Sequence, residues 1–259
     1  IRRFQRERQT LANLAHAGIT RLIDGDTTAD GLPYRVRELV EGEPLNVALR
    51  NGPLGPSATL AMLEQVAKGL EVAHGAGIVH RDIKPANLIR SREGIWKLLD
   101  FGISKLRASK GTLTRGDVIG TPGYIAPEQA RSEDVDQRAD IFSLTAVLYR
   151  SLTGRPPFSG RDPMLVIVRA MQEQPLRPSL LTPLASDVDA VLAIGLAKDP
   201  ADRFGSAAEL AEALARAFER RLSARHRMHA AGLLRASPWR EEAAVTPDEG
   251  EGDTVAMVT

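Results

Sequence analysis

The spacing of apolar positions divides the chain into a short mixed front, a long helical body and a polar end. Phe4, Leu11 and Leu14 fall on one face between Arg and Glu residues, which predicts an amphipathic helix over residues 3 to about 15. Ile19 to Ile23 and Tyr34 to Val40 read as two short strands around the turn-rich segment Asp24 to Pro33. Pro44 to Leu49 reads as a short helix. Pro56 to about Gly75 is a longer one, with Leu60, Leu63, Val66, Ala67 and Leu70 at helical spacing and Pro56 and Ser57 suited to its first turn. Leu88-Ile89 and Trp96 to Leu99 flank the turn Ser91 to Gly94 and predict a hairpin. Asp140 to Leu152 is a strongly apolar helix, and residues 162 to 174 and 186 to 197 supply two more. A last helix starts near Ser206, an N-cap candidate with Glu209 three residues on. From there the pattern changes. Arg220, Arg221, Arg225, His226 and Arg227 form a basic run that extends this helix, and the chain from Pro238 is acidic and too poor in apolar residues to fold alone.

Composition narrows the class without naming a function. With 259 residues, 43% apolar and 26% charged, the chain can bury the core of one large domain or of two lobes. A net charge of +1 gives no global field for nucleic acid or an anionic membrane. The absence of cysteine excludes disulfides, thiolate zinc sites and a catalytic thiol. No apolar run of about 18 residues is present. Nor is there the basic start and apolar core of a secretory signal, so the expected address is cytoplasmic. The first residue is Ile1 rather than Met, and the expectation is that the true start lies upstream.

The chemistry concentrates in His80-Arg81-Asp82-Ile83-Lys84-Pro85-Ala86-Asn87, followed by Asp100-Phe101-Gly102. Those residue types at those offsets make a phosphoryl-transfer set. Asp82 can orient an attacking hydroxyl, and Lys84 can offset charge on the transferred phosphate. Asn87 and Asp100 can hold Mg²⁺ through hard oxygens. On these two motifs the chain resembles the eukaryotic-type serine/threonine protein kinases found in bacteria.

The resemblance implies an α+β fold, protein-kinase-like and two-lobed, with a mainly helical large lobe and only a remnant of the small β lobe. Residues 1-40 would be a partial small lobe, 41-219 the large lobe, and 220-259 a basic helical extension with an acidic disordered tail. The first helix resembles the family's small-lobe helix (αC), which makes Glu7 the partner of a strand Lys. Yet the first Lys here is Lys68, and no Gly-rich phosphate loop precedes Glu7. Glu38 to Gly42 resembles the hinge that takes adenine on its backbone, with Glu38 and Val40 as the contacts. Arg37 stands where the family carries an apolar side chain or Thr. It is expected either to reach water or pair with Glu7 or Asp24 together with Arg35, or to enter the back of the adenine pocket.

The same resemblance makes His80 structural and Arg81 the dock for a phosphorylated activation loop, with Thr112 or Thr114 as the phosphosite. Gly120-Thr121-Pro122-Gly123-Tyr124 with Ala126-Pro127-Glu128 matches the substrate-docking segment, in which Thr121 bonds near Asp82 and Lys84. Asp140 would brace the His80 to Asp82 turn, and Arg203 would pair with Glu128. Thr145 replaces a usual Gly. The implied cofactors are ATP and Mg²⁺. The implied partners are proteins with Ser or Thr acceptors, and a second copy for trans-autophosphorylation. The alternatives left open are a catalytically impaired fragment and a pseudokinase acting as a protein-binding module.

Overall fold

Helices packed around one almost wholly buried helix build most of the molecule, and two small sheets cover its front. The computed structural model describes residues 14–28, 30, 33–101 and 122–241. The first strands are β1 (Leu22–Thr27) and β2 (Pro33–Arg37), an antiparallel ribbon in which Leu22 faces Arg37 and Asp26 faces Tyr34. Both are shifted from the sequence reading. Ile19 does not enter the ribbon because residues 18–20 bond to Leu98 instead, with Leu98 N–H donating to the Gly18 carbonyl at 2.8 Å and Thr20 N–H to the Leu98 carbonyl at 3.0 Å. Asp24 and Asp26 stay in the strand rather than in the turn, and each accepts from the next backbone N–H, at 2.7 and 2.8 Å. Leu14 and Ala15, the end of the helix expected to reach about residue 15, are not helical; its earlier part, with Glu7, lies outside the described residues.

The second sheet has the order β3-β4-β5: β3 (Gly42–Pro44), β4 (Leu88–Ser91) and β5 (Trp96–Leu98), all antiparallel. Between β3 and β4 lie the short helix α1 (Leu45–Ala48), its 3-10 continuation Leu49–Asn51, and the long helix α2 (Pro56–Gly75). Pro at the first helical position costs α2 nothing, since that N–H has no intrahelical partner. Its apolar stripe, Met62, Leu63, Val66, Ala67, Leu70 and Ala73, is buried.

After β5 come α3 (Pro127–Ala130), α4 (Arg138–Thr153), α5 (Pro163–Gln172), α6 (Pro178–Leu181), α7 (Ser186–Gly195), α8 (Ala207–Phe218) and α9 (Ala224–Ala236). α4 is the central helix, buried from Ala139 to Leu148 without a break. Two of its hydroxyls bond back to their own helix, Thr145 to the Ile141 carbonyl at 2.7 Å and Thr153 to that of Tyr149 at 2.8 Å, so burial leaves these two satisfied. Thr145 also has a physical consequence that the sequence did not reveal. A methyl group placed on Gly195 of α7 would run into the Thr145 side chain. Bulk on one helix is matched by a missing side chain on the other.

The C-terminal part differs from its sequence reading twice. The basic run does not extend α8: Arg220 adopts a left-handed φ of 58°, the chain turns, and Ser223 caps a separate helix by accepting from His226 N–H at 3.2 Å. α9 is held on α7 by a two-pronged pair, Arg227 Nε and Nη2 each 2.7 Å from an Asp187 carboxylate oxygen. The guanidinium holds the Asp187 carboxyl below its ordinary value. Residues 238–241 are not a solvated tail either. Trp239 is buried, and Arg240 forms a parallel bridge with Leu176, exchanging bonds with Pro175 and Arg177 at 3.0 and 3.1 Å. One large aromatic side chain supplies the apolar area that the surrounding acidic residues lack. Among the described residues no helix is long and apolar enough to cross a membrane.

Candidate active site

The last turn of α2, the loop to β4 and the start of α4 meet at one carboxylate. Asp140, fully buried, accepts from His80 N–H and Arg81 N–H, one on each oxygen, both at 2.8 Å, and from His74 Nε2 at 2.8 Å. Three donors make a buried charge tolerable, because each replaces a lost water contact. They also hold Arg81 in a left-handed backbone conformation, φ 64°, which turns the chain sharply before Asp82. The Arg81 carbonyl accepts from Gln129 Nε2 at 3.0 Å, so the loop is tied to α3 as well.

His80 ties this loop to the next one. Its Nε2 lies 2.8 Å from the Leu99 carbonyl, which can only accept, so the proton sits on Nε2. Nδ1 is then the acceptor for Asp82 N–H at 3.2 Å. Burial pushes the His80 pKa down, against the pull of Asp140 and of the Leu99 carbonyl, and the neutral ring is the form that satisfies both bonds. The ring also rests 4.5 Å from that of Phe101. His80 thus sets the distance between the backbone of Asp82 and the residue before Asp100.

Asp82 is surrounded by its own loop. Asn87 Nδ2 donates to the Asp82 carbonyl at 2.8 Å and to its carboxylate at 2.9 Å, and Lys84 Nζ lies 3.1 Å from the same carboxylate oxygen. With its amide nitrogen turned to Asp82, Asn87 presents its amide oxygen on the other side. That oxygen and the Asp100 carboxylate are the hard, partly charged donors Mg²⁺ prefers. Mg²⁺ commonly takes one or two protein ligands and fills the rest of its shell with water and phosphate oxygens, so the residues fit the ion. Asp100 itself has a left-handed φ of 45°.

Arg37 has a partner that the sequence reading did not name: its Nη1 is 2.6 Å from Asp100 Oδ2, and with the two side chains 44% and 45% exposed its head also reaches water. Position 37 closes β2, and the fold sets that strand end against the loop after β5. The Glu7 alternative and the side chain of Arg35 lie outside the described part. Beside it, Glu38 carries its own cation, Lys97 Nζ at 2.6 Å, and its N–H donates to the Arg21 carbonyl at 3.1 Å. Val40 is half-buried in the stretch linking β2 to β3.

Below the loop, Glu128 and Arg203 form a buried two-pronged pair, with Nη1 and Nη2 at 2.6 and 2.8 Å. Arg203 also donates to the carbonyls of Ala197, Arg138 and Lys198. Thr112, Thr114 and Thr121 lie outside the described residues. The sequence reading missed His74, Gln129 and Lys97. Only His74 carried a legible signal, a polar residue in the last turn of α2 on the side of the buried Ala73.

Comparison with known proteins gives one answer. The family model described as "Protein kinase domain" matches residues 2–218. A probable serine/threonine-protein kinase of Corynebacterium efficiens is 42% identical over 220 residues, covering 81% of this chain and 33% of its own length. Serine/threonine-protein kinase PknB of Mycobacterium tuberculosis is 41% identical over 221 residues, covering 83% of this chain and 35% of its own. The chain spans about a third of the length of these relatives. Among solved structures, Rad53 in complex with AMP-PNP superposes with a TM-score of 0.63 at 28% identity, over 82% of this chain and 54% of that one.

Proposed function

The chain belongs to the protein kinase domain family, and from that premise we propose that it serves in a serine/threonine protein kinase, moving the terminal phosphate of ATP to Ser or Thr hydroxyls of proteins. The observation that carries this reading is the convergence of Lys84 and Asn87 on the Asp82 carboxylate, with Asp100 on the adjoining loop. Asp82 accepts the hydrogen bond of the incoming hydroxyl and aims its oxygen. Phosphoryl transfer asks little more of the protein than aim and charge compensation. Lys84, a compact ammonium already at the carboxylate, supplies the cation for a phosphate oxygen. Asn87 and Asp100 hold Mg²⁺, which when bound neutralises the phosphate oxygens. The backbone of Glu38 and Val40 takes the adenine edge, and Glu7 completes the nucleotide side. Thr121 steadies Asp82 and Lys84 from the docking segment.

The names of the relatives support the choice of Ser and Thr as acceptors. Arg81 is the dock for a phosphate on Thr112 or Thr114, delivered by a second copy of the chain. A protein carrying these residues is assayed for phosphate incorporation from Mg·ATP. The expected result is transfer that falls by about 100-fold or more in Asp82→Ala and is unchanged in Glu241→Gln, an exposed residue paired with Arg177. Transfer at the wild-type rate in Asp82→Ala overturns the proposal.

A further inference from the structure

Resting on the reading of Asp100 as a metal ligand, we propose that Arg37 is a competing cation for that ligand and so sets how tightly the site takes a divalent ion. Among the described residues, the carboxylates of Asp82, Glu38 and Asp100 each have a cation of their own. Asp82 has Lys84 at 3.1 Å, Glu38 has Lys97 at 2.6 Å, and Asp100 has Arg37 at 2.6 Å. Glu38 is next to Arg37 in sequence, but successive residues of an extended chain point to opposite sides, and Lys97 already occupies its carboxylate. The side of β2 that Arg37 shares leads instead to Asp100.

A metal ion entering between Asn87 and Asp100 meets a carboxylate whose Oδ2 is already engaged. It must share Asp100 with the guanidinium or displace it, and either costs affinity. Both partners are nearly half exposed, so the pair is screened and can open. Arg37 therefore weakens the metal site without closing it. A purely structural Arg37 would stabilise the fold and leave metal affinity alone.

The test is direct metal binding to the whole chain, with Mn²⁺ as the probe and free Mn²⁺ read by electron paramagnetic resonance, alone and with a non-hydrolysable ATP analogue. Arg37→Gln is expected to bind Mn²⁺ about 1.5-fold to fivefold tighter, the range that release from a half-exposed ion pair gives. Arg37→Lys, which keeps the charge without the planar fork, should fall between the two. Asp100→Asn should lower affinity in both backgrounds and abolish the effect of residue 37. If Arg37→Gln binds Mn²⁺ no tighter than the wild type while Asp100→Asn still binds it worse, competition is refuted and the metal reading stands. If Asp100→Asn changes nothing in either background, the metal reading fails and this inference with it. Weaker Mn²⁺·nucleotide binding by Arg37→Gln also overturns the proposal, since it makes Arg37 a phosphate contact.

Discussion

Replacing Lys198 by methionine asks how the large lobe tolerates a cation in its interior. Lys198 lies just past α7, and its Nζ is 4.6 Å from the ring centre of Phe158 and 5.4 Å from that of Phe142, while donating to the Ala170 carbonyl at 3.0 Å. The two rings are stacked at 6.3 Å. Burial is the largest influence on the amine, with the Arg203 charge acting in the same direction and Glu173 against it. Together they push its pKa down to about 7. The ring faces favour the ammonium but supply only about 0.5–2 kcal/mol each.

The linkage has a definite sign. In the unfolded chain the lysine keeps its ordinary value, so between pH 7 and that value the unfolded state binds a proton that the folded state has released. Stability then rises with pH across this window and is lost as pH falls to the folded value; below it the contribution is flat. Inside the window each pH unit contributes about 1.4 kcal/mol, so between about pH 7 and pH 9 the wild type gains roughly 2 kcal/mol from this group alone. Methionine keeps an unbranched stem against Phe142 and Phe158 without the charge. Urea unfolding of both proteins across the range gives the difference in stability, in which the other titrating groups cancel. The advantage of methionine should shrink by about 2 kcal/mol from pH 7 to pH 9. A pH-independent difference would mean that rings and carbonyl keep the amine charged throughout, and the burial argument would be wrong.

Two further substitutions probe the packing under the site. Gly195→Ala drives a methyl group into Thr145 and should cost about 1–3 kcal/mol by denaturation, with Thr145→Ala in the same chain recovering most of the loss; a neutral single variant would show that α4 and α7 can move apart freely. Glu128→Gln leaves the Arg203 guanidinium, whose side chain is 0% exposed, without its counter-charge and should cost about 3–5 kcal/mol. The exposed pair of Arg177 with Glu241 provides the contrast, since Glu241→Gln should cost no more than about 1 kcal/mol. Equal losses from the two would refute the dependence on burial.

What the sequence disclosed and what it withheld divide along a physical line. The His80 to Asn87 string is legible because its working contacts are local: Asp82, Lys84 and Asn87 bond to one another within one turn of chain. The limits of α2 are legible for the same reason, being written in Pro56 and in a stripe of period 3.6. Partner choice across the fold is not written locally. Periodicity can say that Arg37 shares a strand face with Arg35, but not that the end of β2 meets the loop after β5, so its pairing with Asp100 had no signal. The Thr145–Gly195 match is likewise a property of two helices together; either residue alone is an ordinary choice in a helix. The break before α9 shows the converse. A basic run reads as helix by propensity, yet the left-handed Arg220 turns the chain, its carbonyl accepts from Arg227 at 3.2 Å, and the Arg227–Asp187 pair holds the next helix on α7 while Trp239 buries the end. Charge composition had marked the C-terminal segment as solvated because it averages over residues, whereas docking is decided by one indole and one carboxylate. Averages therefore serve a helix stripe well and fail at a two-residue anchor, and the metal side of this site, where a single guanidinium contacts a single carboxylate, falls on the side where they fail.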